Sequence, residues 1–237
     1  MNKSILNTGL WSAIICLASF IVWIISFSGI AIQSPLFSWT NIEDYIDYYK
    51  SNSQFFQYSA KSFMIIFSLA YMILTMVFYE FTASERKILA KIAVVFSIMF
   101  ALVSSMHYFV QISFVRFAIA GNEYSGLEHF IQSNPTSFLS SVNMLGWTLF
   151  LGLSSLFMYA GFIHNSVAKR LRPGLLINSV SCILGGIGYL FRIDILTFIF
   201  MNLGIGLGFI LLTVSSIRLV NHLKRENKQS TNAQHKE

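Results

Sequence analysis

Ile92–Arg116, IAVVFSIMFALVSSMHYFVQISFVR, decides how the rest of the chain reads. From Ile92 to Val115 it carries no formal charge. At about 1.5 Å per residue, a helix of that length crosses a bilayer core of roughly 30 Å. Within the run, Ser104, His107 and Gln111 are spaced by three and four residues, which puts all three on one helix face. Polar groups are costly in hydrocarbon, so that face is expected to point into protein. The stretch therefore predicts the polar seam of a helical membrane bundle.

Working outward, the same oily pattern recurs. The chain has 237 residues, 55% hydrophobic and only 11% charged, against roughly 25% charged in a soluble domain. The expected fold is all-α: one polytopic membrane domain over residues 1–220, with six transmembrane helices at about 10–32, 62–81, 92–116, 137–163, 174–191 and 195–220. Residues 221–237 are polar and basic and are expected to form a disordered cytoplasmic tail. The first run is longer than a signal-peptide core, so it is read as a helix, with cleavage near Ala31 the alternative. Ser12, Cys16, Ser19, Trp23 and Ser26 form a packing stripe along it.

Two long loops are each expected to carry a short amphipathic helix. Thr40-Asn-Ile-Glu43 and Ser125-Gly-Leu-Glu128 both fit a capping box. Ile42, Tyr45, Ile46 and Tyr49 share one face, predicting a helix at the membrane surface or lidding the bundle. The two loops echo each other faintly, as in a duplicated helix pair. Asn134-Pro135 reads as a turn and Ser137 as a helix cap.

Positive charge sets the orientation. With the amino terminus, the 84–91 and 165–173 turns and the tail on one side, that side holds 12 of the 16 Lys and Arg. Both termini are therefore expected in the cytoplasm. The Lys-, Ile-, Asn- and Ser-rich composition suggests a bacterial plasma membrane. The net charge of +6 follows this asymmetry and implies no nucleic-acid partner.

Depth along the helices locates a candidate site. His107 lies 16 residues after Lys91, about 24 Å along the axis. Asn143 and Asn202 lie about 10 and 12 Å from the outer ends of their helices. His107, Gln111, Asn143 and Asn202 are thus expected to line an outward-facing polar pocket for a small molecule or lipid. Arg116 or Arg192 is available to an anionic group, and Asp194 to pair with either. Two other readings stand beside this one: an accessory or structural protein whose polar residues only specify packing, and an enzyme with His107 as general base. The last needs a nucleophile such as Ser104 or Tyr108.

No cofactor or metal is expected. His107 is the only deep histidine, which excludes a bis-histidine haem. His129 with Glu128 and Glu123 is better read as a solvated loop face. Cys16 and Cys182 sit in apolar runs as free thiols. Asn178, Ser181, Cys182 and Gly185, with the Gly204-x-x-x-Gly208 pattern, predict close packing of the last two helices, within the chain before between chains in an oligomer.

Gly146-Trp-Thr-Leu-Phe-Leu-Gly152, Leu171-Arg-Pro-Gly-Leu-Leu176 and Gly185-Gly-Ile-Gly-Tyr-Leu190 together resemble the carboxy-terminal half of an uncharacterised family of bacterial six-helix membrane proteins. The resemblance implies six helices and no particular chemistry.

Overall fold

The computed structural model describes residues 2–33, 39, 41–132 and 136–234, with side chains as far as Lys228. Six helices are long and apolar enough to cross a membrane: α1 (Lys3–Gln33), α3 (Phe55–Phe81), α4 (Ser84–Gly121), α5 (Phe138–Phe162), α6 (Val167–Leu190) and α7 (Asp194–Lys228). A seventh, α2 (Ile42–Ser51), caps the bundle. The fold is all-α, a multi-pass membrane bundle. An even number of crossings puts both ends of the chain on one side, here called the terminal side. The long loops and α2 lie on the other, the loop side.

Each spanning helix packs on its sequence neighbour, and α7 returns to α1, closing a ring. Short connections force antiparallel neighbours, which is the simplest way to build such a ring. The centre is filled by rings from four helices. Phe67 and Tyr71 of α3 meet Phe209 of α7 at 4.6 and 5.5 Å between centroids, and Phe100 of α4 meets Trp147 of α5 at 5.0 Å. Edge-on aromatic pairs of this kind pack densely and leave little free space. Large apolar side chains cover the outside, among them Ile25, Leu102, Phe109, Leu203 and Leu207. That is the surface expected against acyl chains.

Several helices are longer than their hydrophobic runs. α1 begins at Lys3, α3 at Phe55 and α6 at Val167, where residues 10, 62 and 174 were expected. Hydropathy marks the part inside hydrocarbon, but backbone hydrogen bonding propagates past it wherever no breaker intervenes. Pro173 is no breaker here, because it falls in the first turn, after the Val167–Leu171 3₁₀ segment. The packing stripe of α1 is as predicted: Ser12, Cys16, Ser19 and Ser26 are all buried.

The tail prediction is corrected. The helix runs on as Ile205–Gln234, so residues 221–234 are helical. They contain no Gly or Pro, and they extend a helix already nucleated in the membrane, so each added residue gains a hydrogen bond without a nucleation cost. His222 and Glu226 pair at 3.5 Å across one turn.

The loop prediction is half corrected. α2 forms, capped by Asn41, whose Oδ1 accepts from Asp44 N at 2.8 Å. Thr40, the expected cap, lies outside the described residues. In the second loop only one 3₁₀ turn, Leu127–His129, forms among the described residues. Gly126 precedes it with φ 75° and gives no side-chain cap, while buried Leu127 and Ile131 draw the segment inward. The two loops therefore do not repeat each other structurally. The expected Asn134-Pro135 turn lies outside the described residues. Ser137 does cap α5, accepting from Ser140 N at 3.3 Å.

α2 is a lid. Tyr45 packs with Val115, Ala118 and Ile119 of α4 and with Leu127 and Ile131 of the second loop, forming a small core of its own. Lys50 donates to Asn122 Oδ1 at 3.2 Å and to the Tyr124 hydroxyl at 3.0 Å. Asn122 ends α4 in the left-handed region (φ 57°), with Glu123 N bonded to Ala118 O at 2.8 Å. That closure turns the chain back under the lid.

Helices α6 and α7 approach as closely as their small residues imply. A Cβ at Gly174 would lie 2.7 Å from Leu212 N and 2.9 Å from Gly208 O, both backbone. Gly204 and Gly208 face Ser181 and Asn178 of the same chain, so this face is occupied internally.

Candidate functional site

Three of the spanning helices contain a π-turn: Gln111–Val115 in α4, Gly146–Phe150 in α5 and Ile199–Gly204 in α7. A π-turn adds a residue to the helical turn, widening it and re-aiming the side chains around it. Such turns are rare and recur at functional sites. All three lie in the loop-side half of the bundle, and those of α5 and α7 supply Trp147, Met201 and Asn202 to a cavity there.

Two connected cavities occupy that region. The outer one, about 800 Å³, is a cleft between α4, α5, α6 and α7, walled by His107, Tyr108, Ser140, Asn143 and Tyr189, with Arg192 and Asp194 at its rim. The inner one, about 160 Å³, is a narrow chamber walled by Phe20, Trp23, Met64, Trp147, Met201 and Asn202. Tyr108, Asn143 and Met144 line both, so the cleft opens into the chamber past these three side chains. Below the chamber the Phe67, Phe100, Trp147 and Phe209 rings block the way to the terminal side.

The seam predicted in α4 faces inward: Ser104, His107 and Gln111 are 0, 2 and 2% exposed. Each does something different. Ser104 packs beside Gly146 of α5, and its buried Oγ has no hydrogen-bond partner. His107 Nδ1 lies 3.2 Å from Leu139 O. A carbonyl only accepts, so Nδ1 carries the proton and Nε2 is the nitrogen left for a ligand. Gln111 does not line a cavity. Its Nε2 donates to Phe130 O and its Oε1 accepts from Gln132 N, pinning the second loop across the cleft, where Gln132 forms part of the wall.

Asn143 and Asn202 both line the chamber. Asn143 Oδ1 is buried without a hydrogen bond at the junction of the two cavities. Asn202 faces the chamber and donates to Phe198 O at 3.0 Å. Arg116 lines neither cavity. Its guanidinium lies over the Tyr58 and Phe117 rings, 5.6 and 6.0 Å from their centroids, on the lid side of α3 and α4. Arg192 and Asp194 are at the cleft mouth, but no ion pair joins them among the described residues. Arg192 takes φ 56° to close the tight turn, while Asp194 opens α7, where the helix dipole favours an acid.

Lys61 was not foreseen as a buried residue. With α3 expected to start at Ser62, it read as a loop cation. The longer helix carries it inside, where it is 5% exposed and one turn toward the loop side from Met64, although it lines neither cavity. The signal was present in sequence: Lys61, Ser68 and Thr75 repeat every seven residues, one polar line down a helix, and all three are buried. Tyr108 was named in sequence only as a nucleophile for His107, and Trp147 was missed because aromatic residues in a membrane helix carry no distinguishing pattern.

No hydrogen bond links His107 to Ser104 or Tyr108 among the described residues, so the geometry pairs no nucleophile with this histidine. Outside the membrane, burial holds the phenols of Tyr45 and Tyr49 above their ordinary range, that of Tyr49 also through its contact with the Tyr58 hydroxyl. Both therefore stay neutral in the lid. Comparison of the chain with protein-family models, with curated proteins and with solved structures finds no match.

Proposed function

We propose that this integral membrane protein binds a small molecule or lipid, entering from the loop side and held in the cleft and the chamber beneath it. The observation that carries this reading is a pair of cavities that share Tyr108, Asn143 and Met144 and whose inner wall is built from the π-turns of α5 and α7, through Trp147, Met201 and Asn202. Helix packing alone has no need of such defects beside a cavity. A π-turn weakens the backbone ladder, and a purely structural bundle gains nothing in return. A polar atom without a partner where the two cavities meet, Asn143 Oδ1, supports it further. The aromatic plug makes the site blind toward the terminal side, which favours binding over an open passage.

The orientation follows from charge. The terminal side carries most of the Lys and Arg and faces the cytoplasm, so the cleft opens to the exterior of a bacterial plasma membrane. Reporter fusions at the carboxy terminus that score as external would overturn this part.

Native mass spectrometry of the protein released from nanodiscs tests the binding reading. A bound small molecule or lipid at unit stoichiometry is expected. Asn143→Leu and Asn202→Leu should lose it while their thermal midpoints stay close to wild type. An empty wild-type protein, or equal occupancy in both variants, refutes it.

A further inference from the structure

At the opposite end of the bundle, the terminal-side ends of α6 and α7 carry a charge that the chain does not neutralise. Residues 166–173 and 218–228 hold seven Lys and Arg against one acid, Glu226. His222 engages that acid at 3.5 Å. Arg170, Arg218 and Arg225 are exposed and form no ion pair among the described residues. Membrane orientation explains the sign of this cluster, but not that it walls a cavity. Two adjoining cavities of about 580 and 300 Å³ lie here. Arg218 and Arg225 wall the larger and Lys169 the smaller, while Arg170, His222 and Glu226 wall both. The extension of α7 past residue 220 makes this basin, because a disordered tail would not hold Arg225 on the same cavity as Arg170. Ala168, Leu171 and Leu219 are buried in the main core and anchor the two walls. Three guanidinium groups on two fixed walls suit a phosphate, which each can grip through two N–H groups.

The basin continues into apolar surface. Leu207, Leu211, Arg218 and Arg225 are spaced by four, seven and seven residues, so they share one side of α7. Leu207 and Leu211 are 53 and 38% exposed. Arg218 lies near the end of the apolar run, and Arg225 stands about 10 Å farther along the axis, which reaches through the headgroup layer.

We propose that this basin binds an anionic phospholipid of the terminal-side leaflet. Its phosphate sits among Arg170, Arg218 and Arg225, and an acyl chain lies along Leu211 and Leu207. The excess of cations disfavours a phosphocholine head, whose ammonium would face the same arginines. The site is separate from the loop-side cleft and does not depend on what the cleft holds.

The full-length protein in detergent is titrated with dioleoyl-phosphatidylglycerol and with dioleoyl-phosphatidylcholine, and lipid adducts are counted by native mass spectrometry. The wild type should bind phosphatidylglycerol roughly tenfold more tightly, as near-surface cations imply. Arg218→Gln with Arg225→Gln should bring phosphatidylglycerol down to the level of phosphatidylcholine at an unchanged thermal midpoint. Lys3→Gln with Lys91→Gln removes the same charge from the terminal side but away from the basin, and should leave the preference intact. Equal loss in the two double variants overturns the site and leaves only diffuse attraction to a basic surface. Equal affinity of the wild type for the two lipids overturns it as well. Displacement of phosphatidylglycerol by an equal concentration of glycerol 1-phosphate would identify a free phosphate ester as the ligand and overturn the lipid. If the arginine pair does not fold, Arg225→Gln alone, outside the membrane, takes its place, and an unmoved preference there overturns the proposal.

Discussion

Gln111→Met removes the clasp that holds the second loop over the cleft, and its consequence can be worked out. Two hydrogen bonds go, one to Phe130 O and one from Gln132 N at 3.3 Å. A net hydrogen bond is worth about 1 kcal/mol in a protein and about 0.6 kcal/mol on average between membrane helices. Phe130 is 36% exposed, so its carbonyl regains water once the glutamine is gone, which keeps the loss near the lower figure. Gln132 is half-buried and regains less. Methionine keeps the volume, so no cavity term is added. The total is about 1.5 kcal/mol, and at about 1.4 kcal/mol per factor of ten this is roughly a tenfold shift toward the open loop. Hydrogen exchange followed by mass spectrometry should show amides 127–132 exchanging roughly tenfold faster, with α6 and α7 unchanged. Unchanged exchange in the loop would show that Leu127 and Ile131 hold it unaided. A general rise across the bundle would mean that Gln111 supports the fold and is no clasp.

Glycine substitutions grade the packing. Gly174→Ala meets only backbone of α7 and should lower stability in detergent by about 2 kcal/mol, whereas Gly121→Ala, whose nearest neighbour is the Glu123 side chain at 3.8 Å, should be neutral or slightly stabilising. Gly126→Ala has open space but a φ of 75°, and should cost about 1 kcal/mol through the backbone alone. The lid should loosen in alkali: the unfolded segment releases its phenolic protons above about pH 10, while buried Tyr45 and Tyr49 keep theirs, so their contribution is constant below that pH and declines above it. Proteolysis of α2 against pH checks this, and cleavage that rises already near neutrality would contradict it. Leu223→Pro should remove the helical signal of the residues beyond it in circular dichroism, and an unchanged spectrum would show that they are not helical in solution.

How much was legible depended on the kind of signal. The inward face of α4 followed from three polar residues at helical spacing, because lipid tolerates no exposed polar stripe. The Ser137 cap and the tight meeting of α6 and α7 were readable for similar local reasons. The starts of α1, α3 and α6 were not, since hydropathy reports the solvent and not the hydrogen-bond ladder. That error concealed Lys61 as a loop residue. Arg116 was placed by depth alone, which ignores the direction in which a side chain leaves its helix.

Composition and periodicity alone determined an all-α membrane bundle of six crossings and the inward turn of the seam in α4, because the cost of polar groups in hydrocarbon acts residue by residue. The closed ring, the three π-turns, the aromatic plug and the burial of Lys61 were decided only in three dimensions. They depend on which helix lies beside which and at what rotation, and those are properties of packed surfaces that no single segment encodes.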